Sequence, residues 1–298
     1  MASEQQGATS TERELKDYSV SEMYDLNQKL LNESIPDVPP VSELAPMSVL
    51  RVEYERGSQL FLSQIDWLTG QGYTHFRRAK GDGDCFYRSV AFAYIERLLS
   101  TPQSERDSTV TTSLSLLSAT KENIIKAGTQ AIVVDDAFEE FENLVKNIII
   151  PDSEQRTLTS KRLLEIFQAK PSGNNYAVED ASIPPNIVFY LRLVTRAQLK
   201  NNAETYDGFL YDVDTGMPLD PESFCNKYVD PIGVEADHMQ MTALCRELKL
   251  NLDVAYLDGR RADTVDFVQF REGPESEKPL TLLYRPGHYD ILVKEEKR

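Results

Sequence analysis

The sequence predicts an α+β fold in which a small mixed sheet packs between helices. Apolar residues recur every three to four positions through residues 134–199, as in helices with one buried face. From residue 252 the period changes to two, and short strand-like segments follow as far as residue 293. A cysteine opens one helical pattern and a histidine precedes the last strand, so we expect helix and sheet to meet at a reactive site.

The helices are predicted from apolar stripes. The clearest stripe comprises Val134, Phe138, Phe141, Val145 and Ile148. Further helices are expected at residues 163–167, 187–199 and 237–248. Residues 101–120 are half Ser and Thr and lack strong periodicity, so we expect a surface loop there. The stripes indicate a helical subdomain at about residues 120–200.

The strands are predicted from alternation of apolar and polar residues. Leu252, Val254 and Tyr256 alternate with polar residues, and the segment 258–260 is typical of a turn. Further strands are expected at residues 267–270, 280–284 and 289–293. The last of these strands would carry the histidine at its start.

A tight turn precedes Cys85, the first candidate for chemistry. Gly81 and Gly83 permit a sharp turn with exposed backbone amides. The apolar residues that then recur every four positions are Phe86, Val90, Tyr94 and Leu98. This spacing places Cys85 in the first turn of a helix, where free amides and the helix dipole favour a nucleophilic thiolate. The alternative for Cys85 taken alone is a buried structural cysteine.

His288 and Asp290 provide a candidate base and its partner. Residues two apart on a strand face the same side, so the Asp290 carboxylate can bind one ring nitrogen of His288. The other nitrogen is then free to face a thiol. Pro286 and Gly287 supply the turn that enters this strand. A lone histidine beside a strand is more often structural, and it is the distant cysteine that favours catalysis.

Two segments resemble the conserved boxes of a known family. Residues 82–88, Asp-Gly-Asp-Cys-Phe-Tyr-Arg, and residues 282–292, Leu-Leu-Tyr-Arg-Pro-Gly-His-Tyr-Asp-Ile-Leu, resemble the cysteine and histidine boxes of the ovarian-tumour (OTU) deubiquitinases. The similarity is specifically to the otubain branch, the C65 type of peptidase, and covers about residues 49–293. It implies a papain-like cysteine-protease fold with the substrate cleft between helix and sheet.

The resemblance also implies roles for single residues. Cys85 would be the nucleophile, His288 the general base and Asp290 the acid that orients it. Asp82, three residues before the cysteine, is counted with the catalytic residues of the family. The backbone amides expected to bind the oxyanion are those of Gly83, Asp84 and Cys85.

Asp84 departs from the family pattern, which has asparagine before the cysteine. A carboxylate about 4 Å from the sulfur would disfavour the thiolate by about 1 kcal/mol in water and about 4 kcal/mol at an effective dielectric of 20. A helix terminus offers at most about 2 kcal/mol in the opposite direction. We therefore expect the Asp84 carboxylate to turn away and cap the helix amides.

The function implied by the resemblance is that of a deubiquitinating cysteine isopeptidase. It would hydrolyse isopeptide bonds at the C-terminus of ubiquitin in chains or conjugates, with a preference for degradation-type chains. The alternative is a non-catalytic protein that binds ubiquitin or a ubiquitin-charged conjugating enzyme and inhibits ubiquitination. A general peptidase for unstructured chains is a third class. The expected partners are ubiquitin, polyubiquitin and conjugating enzymes, and no cofactor is needed.

Residues 1–45 are predicted to form a flexible N-terminal arm before a catalytic domain at residues 46–298. Within the arm, Met23, Leu26 and Leu30 share one face of a short helix that precedes a proline-rich linker. The resemblance implies that this face contacts ubiquitin and conjugating enzymes. The alternative is packing of the arm on its own domain.

Charge argues against a nucleic-acid partner. The chain has 32 basic and 48 acidic residues and a net charge of −16, so phosphates would be repelled. An acidic surface suits a basic protein partner, although acidity also serves solubility alone. No segment is typical of a membrane span, and no membrane partner is expected.

The cysteines and histidines exclude further site classes. Cys85, Cys225 and Cys245 do not make a disulfide framework, and residues 1–16 lack an apolar signal segment. We therefore expect a reducing compartment, the cytoplasm or the nucleus. The three cysteines and three histidines lie too far apart in sequence for a short metal-binding motif. No metal is expected.

Overall fold

A computed structural model describes residues 39–56, 59–169, 179–261 and 264–295. Helices of eight or more residues in this part of the chain are α1 (Met47–Tyr54), α2 (Gln59–Gly70), α3 (Cys85–Ser100), α4 (Gln103–Lys126), α5 (Ala131–Lys146), α6 (Ser160–Gln168), α7 (Ile183–Asn201) and α8 (His238–Leu248). The strands are β1 (Ala45–Pro46), β2 (Tyr73–Arg77), β3 (Asn251–Tyr256), β4 (Asp266–Arg271), β5 (Leu280–Arg285) and β6 (His288–Lys294). The predicted α+β class is confirmed.

One mixed sheet joins all these strands in the order β1-β2-β6-β5-β3-β4. β3 and β5 are parallel, and the other neighbours are antiparallel. β6 lies inside the sheet, between β2 and β5, which gives it partners along both edges. The strand that carries the candidate base is therefore held on both sides.

Helix α3 packs directly on β6. The Phe86 ring contacts the Tyr289 ring edge to face at 5.7 Å, and the Ser89 hydroxyl donates to the Tyr289 carbonyl at 3.3 Å. Phe86 and Ser89 are fully buried. This contact fixes the start of α3, where Cys85 lies, beside the start of β6, where His288 lies.

Helix α4 replaces the surface loop predicted at residues 101–120, and that prediction was wrong. The Thr109 and Thr112 hydroxyls donate to the carbonyls four residues back, each at 2.9 Å, so these hydroxyls find their hydrogen-bond partners within the helix. Every seventh residue is apolar and fully buried, namely Val110, Leu117 and Ile124. Two helical turns separate these residues, and burial of that narrow stripe outweighs the weak helix propensity of Ser and Thr.

The predicted helices and strands after residue 130 are confirmed, with small shifts of their ends. The strand that the sequence also indicates at residues 73–77 is β2, whereas α1, α2 and β1 were not predicted. The first described residues already contact the domain, because the Pro40 carbonyl accepts from the Lys80 amide at 3.0 Å and buried Val41 pairs with Ala79. The predicted arm helix at residues 23–30 lies outside the described residues. None of the described helices is long and apolar enough to cross a bilayer.

Candidate active site

Cys85 is the first residue of α3 and is 1% exposed. The turn before it requires glycine at position 83, where φ is +79° and a Cβ would lie 1.9 Å from the Gly233 carbonyl oxygen. The sequence therefore folds this segment into a sharp turn pressed against the loop at Gly233. The first amides of α3 have no acceptor within the helix, and Cys85 is the residue that begins this helix.

His288 faces Cys85 from the start of β6. Its Nε2 lies 2.7 Å from Asp290 Oδ1, as expected for residues two apart on a strand. Burial lowers the pKa of His288, but hydrogen bonds with Asp290 and Cys85 and their charges outweigh burial and raise it to about 9. Nδ1 makes no hydrogen bond of good geometry in the described structure, so the contact with the thiol is looser than that with Asp290.

Asp290 is fully buried and held by three partners. Besides His288, the Ala79 amide donates to Oδ1 at 3.0 Å and Arg285 Nη2 donates to Oδ2 at 2.6 Å. Burial raises the pKa of Asp290, and the bond to His288 and the charge of Arg285 more than offset it, so the pKa lies below its usual value. The carboxylate thus stays charged and fixes the imidazole.

Asp82, counted with the catalytic residues at the sequence level, holds the turn. Its two oxygens accept from Arg88 Nη1 and Nη2, each at 2.8 Å, and Oδ1 also accepts from the Asp84 amide at 3.2 Å. Arg88 further donates to the Lys80 carbonyl at 3.0 Å. The bidentate pair joins the turn to the first turns of α3 and so shapes the amides of residues 83–85.

The Asp84 carboxylate does not cap α3, and that expectation was wrong. Instead it forms an ion pair with Arg192 of α7, whose Nη2 lies 2.5 Å and whose Nε lies 3.1 Å from Oδ1. A guanidinium nearby compensates a buried carboxylate far better than helix amides do. Sequence reasoning missed Arg192, although Arg192 and Arg196 are two charges inside the apolar segment 187–199 and were the signal.

The other predicted or excluded groups lie elsewhere. Cys225 and Cys245 are buried, and burial raises the pKa of both thiols, that of Cys225 to about 12. Cys85 alone among the three faces an imidazole in the described structure. The described residues contain no cluster of side chains suited to hold a metal ion. Met23, Leu26 and Leu30, predicted to bind ubiquitin, lie outside the described residues.

A buried helix-start cysteine, a histidine and a carboxylate in this geometry make a thiol-protease triad. A profile of the family Peptidase C65 Otubain matches residues 33–294. The chain belongs to the otubain family. As an otubain it is a cysteine protease, and the OTU fold expected from the sequence is confirmed.

Relatives of this otubain are known from plants and animals. It is 31% identical to the OVARIAN TUMOR DOMAIN-containing deubiquitinating enzyme 1 of Arabidopsis thaliana, over 87% of this chain and 82% of the relative. It is 31% identical to human Ubiquitin thioesterase OTUB1, over 86% and 83% of the two chains.

Solved structures share the fold of this otubain. A complex of ceOTUB1 with ubiquitin aldehyde and UBC13~Ub aligns with a TM-score of 0.75 at 25% identity, over 91% of this chain and all of that chain. A complex of h/ceOTUB1 with ubiquitin aldehyde and UBCH5B~Ub aligns with a TM-score of 0.76 at 23% identity, over 93% and 98% of the two chains.

Proposed function

We propose that this otubain hydrolyses isopeptide bonds at the C-terminus of ubiquitin in chains or conjugates. The observation that carries the proposal is the placement of Cys85, His288 and Asp290 at the junction of α3 and β6. The names of its relatives, deubiquitinating enzyme and ubiquitin thioesterase, supply the substrate class. The net charge of −16 is compatible with a basic partner surface.

The geometry supports a two-step acyl transfer. The Cys85 thiolate attacks the carbonyl carbon of the ubiquitin C-terminal glycine, and the amides of Gly83 and Cys85 bind the resulting oxyanion, since the Asp84 amide donates to Asp82 Oδ1. His288 then gives its proton to the leaving lysine amine, and a thioester remains on Cys85. Water, deprotonated by His288, attacks the thioester and releases ubiquitin and the thiol. Asp290 and Arg285 keep the imidazole oriented throughout.

The finer specificity is part of the proposal. We infer a preference for degradation-type chains, and a cytoplasmic or nuclear location in which Cys85 stays reduced. The second candidate function is binding of ubiquitin or a ubiquitin-charged conjugating enzyme without hydrolysis. It is favoured by the alignment with a structure that contains ubiquitin aldehyde and UBC13~Ub.

Labelling with ubiquitin that carries a C-terminal electrophile tests the proposal. We expect one adduct per chain, at Cys85 and not at Cys225 or Cys245, because burial raises the pKa of those two thiols and only Cys85 faces an imidazole in the described structure. Cys85→Ala should abolish turnover of a fluorogenic ubiquitin and of di-ubiquitins of defined linkage, while ubiquitin binding persists. Binding without turnover by the native chain would favour the second candidate, and an adduct at Cys225 or Cys245 would contradict the site.

A further inference from the structure

The ion pair beside the nucleophile joins three segments of the chain. Asp84 lies next to Cys85, and Arg192 lies in the middle of α7. Arg192 is 1% exposed and Asp84 is 6% exposed, so both charges are removed from water. A buried pair of this kind persists only where further hydrogen bonds satisfy both groups.

Those further bonds lead to one loop, residues 229–234. Arg192 donates from Nη1 to the Val229 carbonyl at 2.9 Å and from Nη2 to the Val234 carbonyl at 2.8 Å. The Gly233 amide donates to Asp84 Oδ1 at 3.1 Å. The Arg192 guanidinium therefore binds both ends of the loop, and the Asp84 carboxylate binds the Gly233 amide next to its second end.

The loop in turn presses on the turn that carries the oxyanion amides. Gly233 has φ +79°, and a Cβ there would lie 3.3 Å from the Asp82 carbonyl. On the other side of this contact, the Gly233 carbonyl leaves no room for a side chain at Gly83. If Gly233 moved away from the turn, Gly83 and Asp84 would therefore be free to move with it.

We propose that Arg192 and Asp84 act as a positioning pair, which holds the residue 229–234 loop against the turn and so fixes the oxyanion amides of residues 83–85. The inference rests on the proposed hydrolytic function. Asp84 acts through its oxygen as an acceptor for Arg192 and Gly233, and its charge serves mainly to compensate Arg192. The contributions of the acceptor oxygen and of the charge can be separated by substitution of Asp84.

Asp84→Asn keeps an acceptor oxygen and removes the charge, whereas in Asp84→Ser the hydroxyl stops one bond short of the Asp84 Oδ1 position. Serine also caps helices well, so the start of α3 is retained, and Asp84→Ala is a second variant without an acceptor. Glu96→Gln and Glu96→Ser are matched controls. Glu96 lies on the same helix and pairs with Arg77 at 2.9 Å, away from the turn.

The readout is kcat for a fluorogenic ubiquitin per active site, with active sites counted by the ubiquitin electrophile. We expect kcat of Asp84→Asn to stay within about threefold of the native value, because the acceptor oxygen remains. Its melting temperature should fall, because buried Arg192 loses the charge that compensates it. Asp84→Ser and Asp84→Ala should lose about tenfold to hundredfold in kcat with little change in KM, because misplaced amides affect the transition state. Both Glu96 variants should retain the native kcat.

Hydrogen exchange at the Gly233 amide gives a readout that does not depend on catalysis. Exchange should accelerate in Asp84→Ser and Asp84→Ala and stay close to native in Asp84→Asn. Turnover by the native chain tests the proposed function. The ratio of kcat per active site between Asp84→Ser and Asp84→Asn tests the positioning pair. Equal kcat per active site in these two variants, or native exchange at Gly233 in both, would overturn the proposal.

Discussion

At the scale of single residues, the site depends on how each charge is compensated. The pKa of His288 is raised to about 9 because Asp290 and Cys85 stabilise its protonated form against burial. Folding stability from this protonation is full below the ordinary histidine pKa and is lost as the pH rises through about 9. The imidazolium is therefore available as a proton donor across the neutral range.

We expect kcat/KM for a fluorogenic ubiquitin to fall as the pH rises through about 9, because His288 loses its proton there. Asp290→Asn removes a charge that raises the His288 pKa, so this alkaline limb should move to lower pH and the maximum rate should drop. Asp214→Asn, a change at an exposed carboxylate paired with Lys227, is the control and should leave the profile unchanged. An unmoved limb in Asp290→Asn would contradict the assignment.

Arg285→Gln should destabilise the fold as well as slow turnover. Arg285 is the cation that pairs with buried Asp290, and removing one partner of a buried pair costs about 3 kcal/mol or more. The free energy of unfolding in urea measures this cost. Arg260→Gln breaks an exposed pair with Asp258, so it should cost less than about 1 kcal/mol. Similar costs for the two variants would mean that the Arg285 pair contributes no more than a surface pair.

At the scale of elements, the close approach of two loops decides the shape of the catalytic turn. Gly83→Ala should reduce kcat per active site by about hundredfold or more, because its Cβ would overlap the Gly233 carbonyl. Gly216→Ala is the matched control, since φ is +68° there but no atom lies within 4 Å. The control carries only the strain of a left-handed alanine, about 1 kcal/mol, and should keep native kcat. Equal effects would show that strain alone matters at Gly83.

Helix α4 illustrates what sequence patterns convey and what they hide. The Ser and Thr content concealed the buried stripe at Val110, Leu117 and Ile124, since one apolar residue in seven is a weak signal. We expect Leu117→Ala to lower the free energy of unfolding by about 2 to 4 kcal/mol, and exposed Ser115→Ala to change it by less than about 0.5 kcal/mol. Urea unfolding of both variants measures this. Equal small changes would mean that α4 adds little to stability.

The arrangement of Cys85, His288 and Asp290 was predictable because the rules that place each residue are local. A glycine turn before a four-residue repeat places Cys85 at a helix start, and a two-residue spacing on a strand pairs His288 with Asp290. The Asp84–Arg192 pair was not predictable, since 108 residues separate its members and no local rule links them. Sequence reasoning predicted that the Asp84 carboxylate turns away from the thiol. Only the tertiary contacts identify Arg192 as its partner.

At the scale of the whole molecule, the sheet and helices form one frame for the site. The order of strands places β6 next to both β2 and β5, and Ala79, just after β2, donates to Asp290. Residues far apart in sequence thus converge on one carboxylate. A cut or insertion between β2 and α3 would therefore disturb the base as well as the nucleophile.

A truncation tests the role of residues 1–38. The triad and its described supports all lie after residue 38, so deletion of residues 1–38 removes none of these side chains. We expect the truncated chain to cleave a fluorogenic ubiquitin within about twofold of the native rate, because that substrate has no second ubiquitin. If the Met23, Leu26 and Leu30 face holds the second ubiquitin, as the family resemblance implies, cleavage of di-ubiquitin should fall about tenfold.

Replacing Met23, Leu26 and Leu30 by serine in the full-length chain provides the matched control for this deletion. The apolar face is then lost, but the length and the charge of the segment are unchanged. If the face itself binds the second ubiquitin, both variants lose the same activity on di-ubiquitin and keep it on the fluorogenic substrate. A deletion that impairs di-ubiquitin cleavage while the triple substitution does not would assign the effect to another part of residues 1–38. Equal loss on both substrates would instead show that the segment supports the catalytic domain.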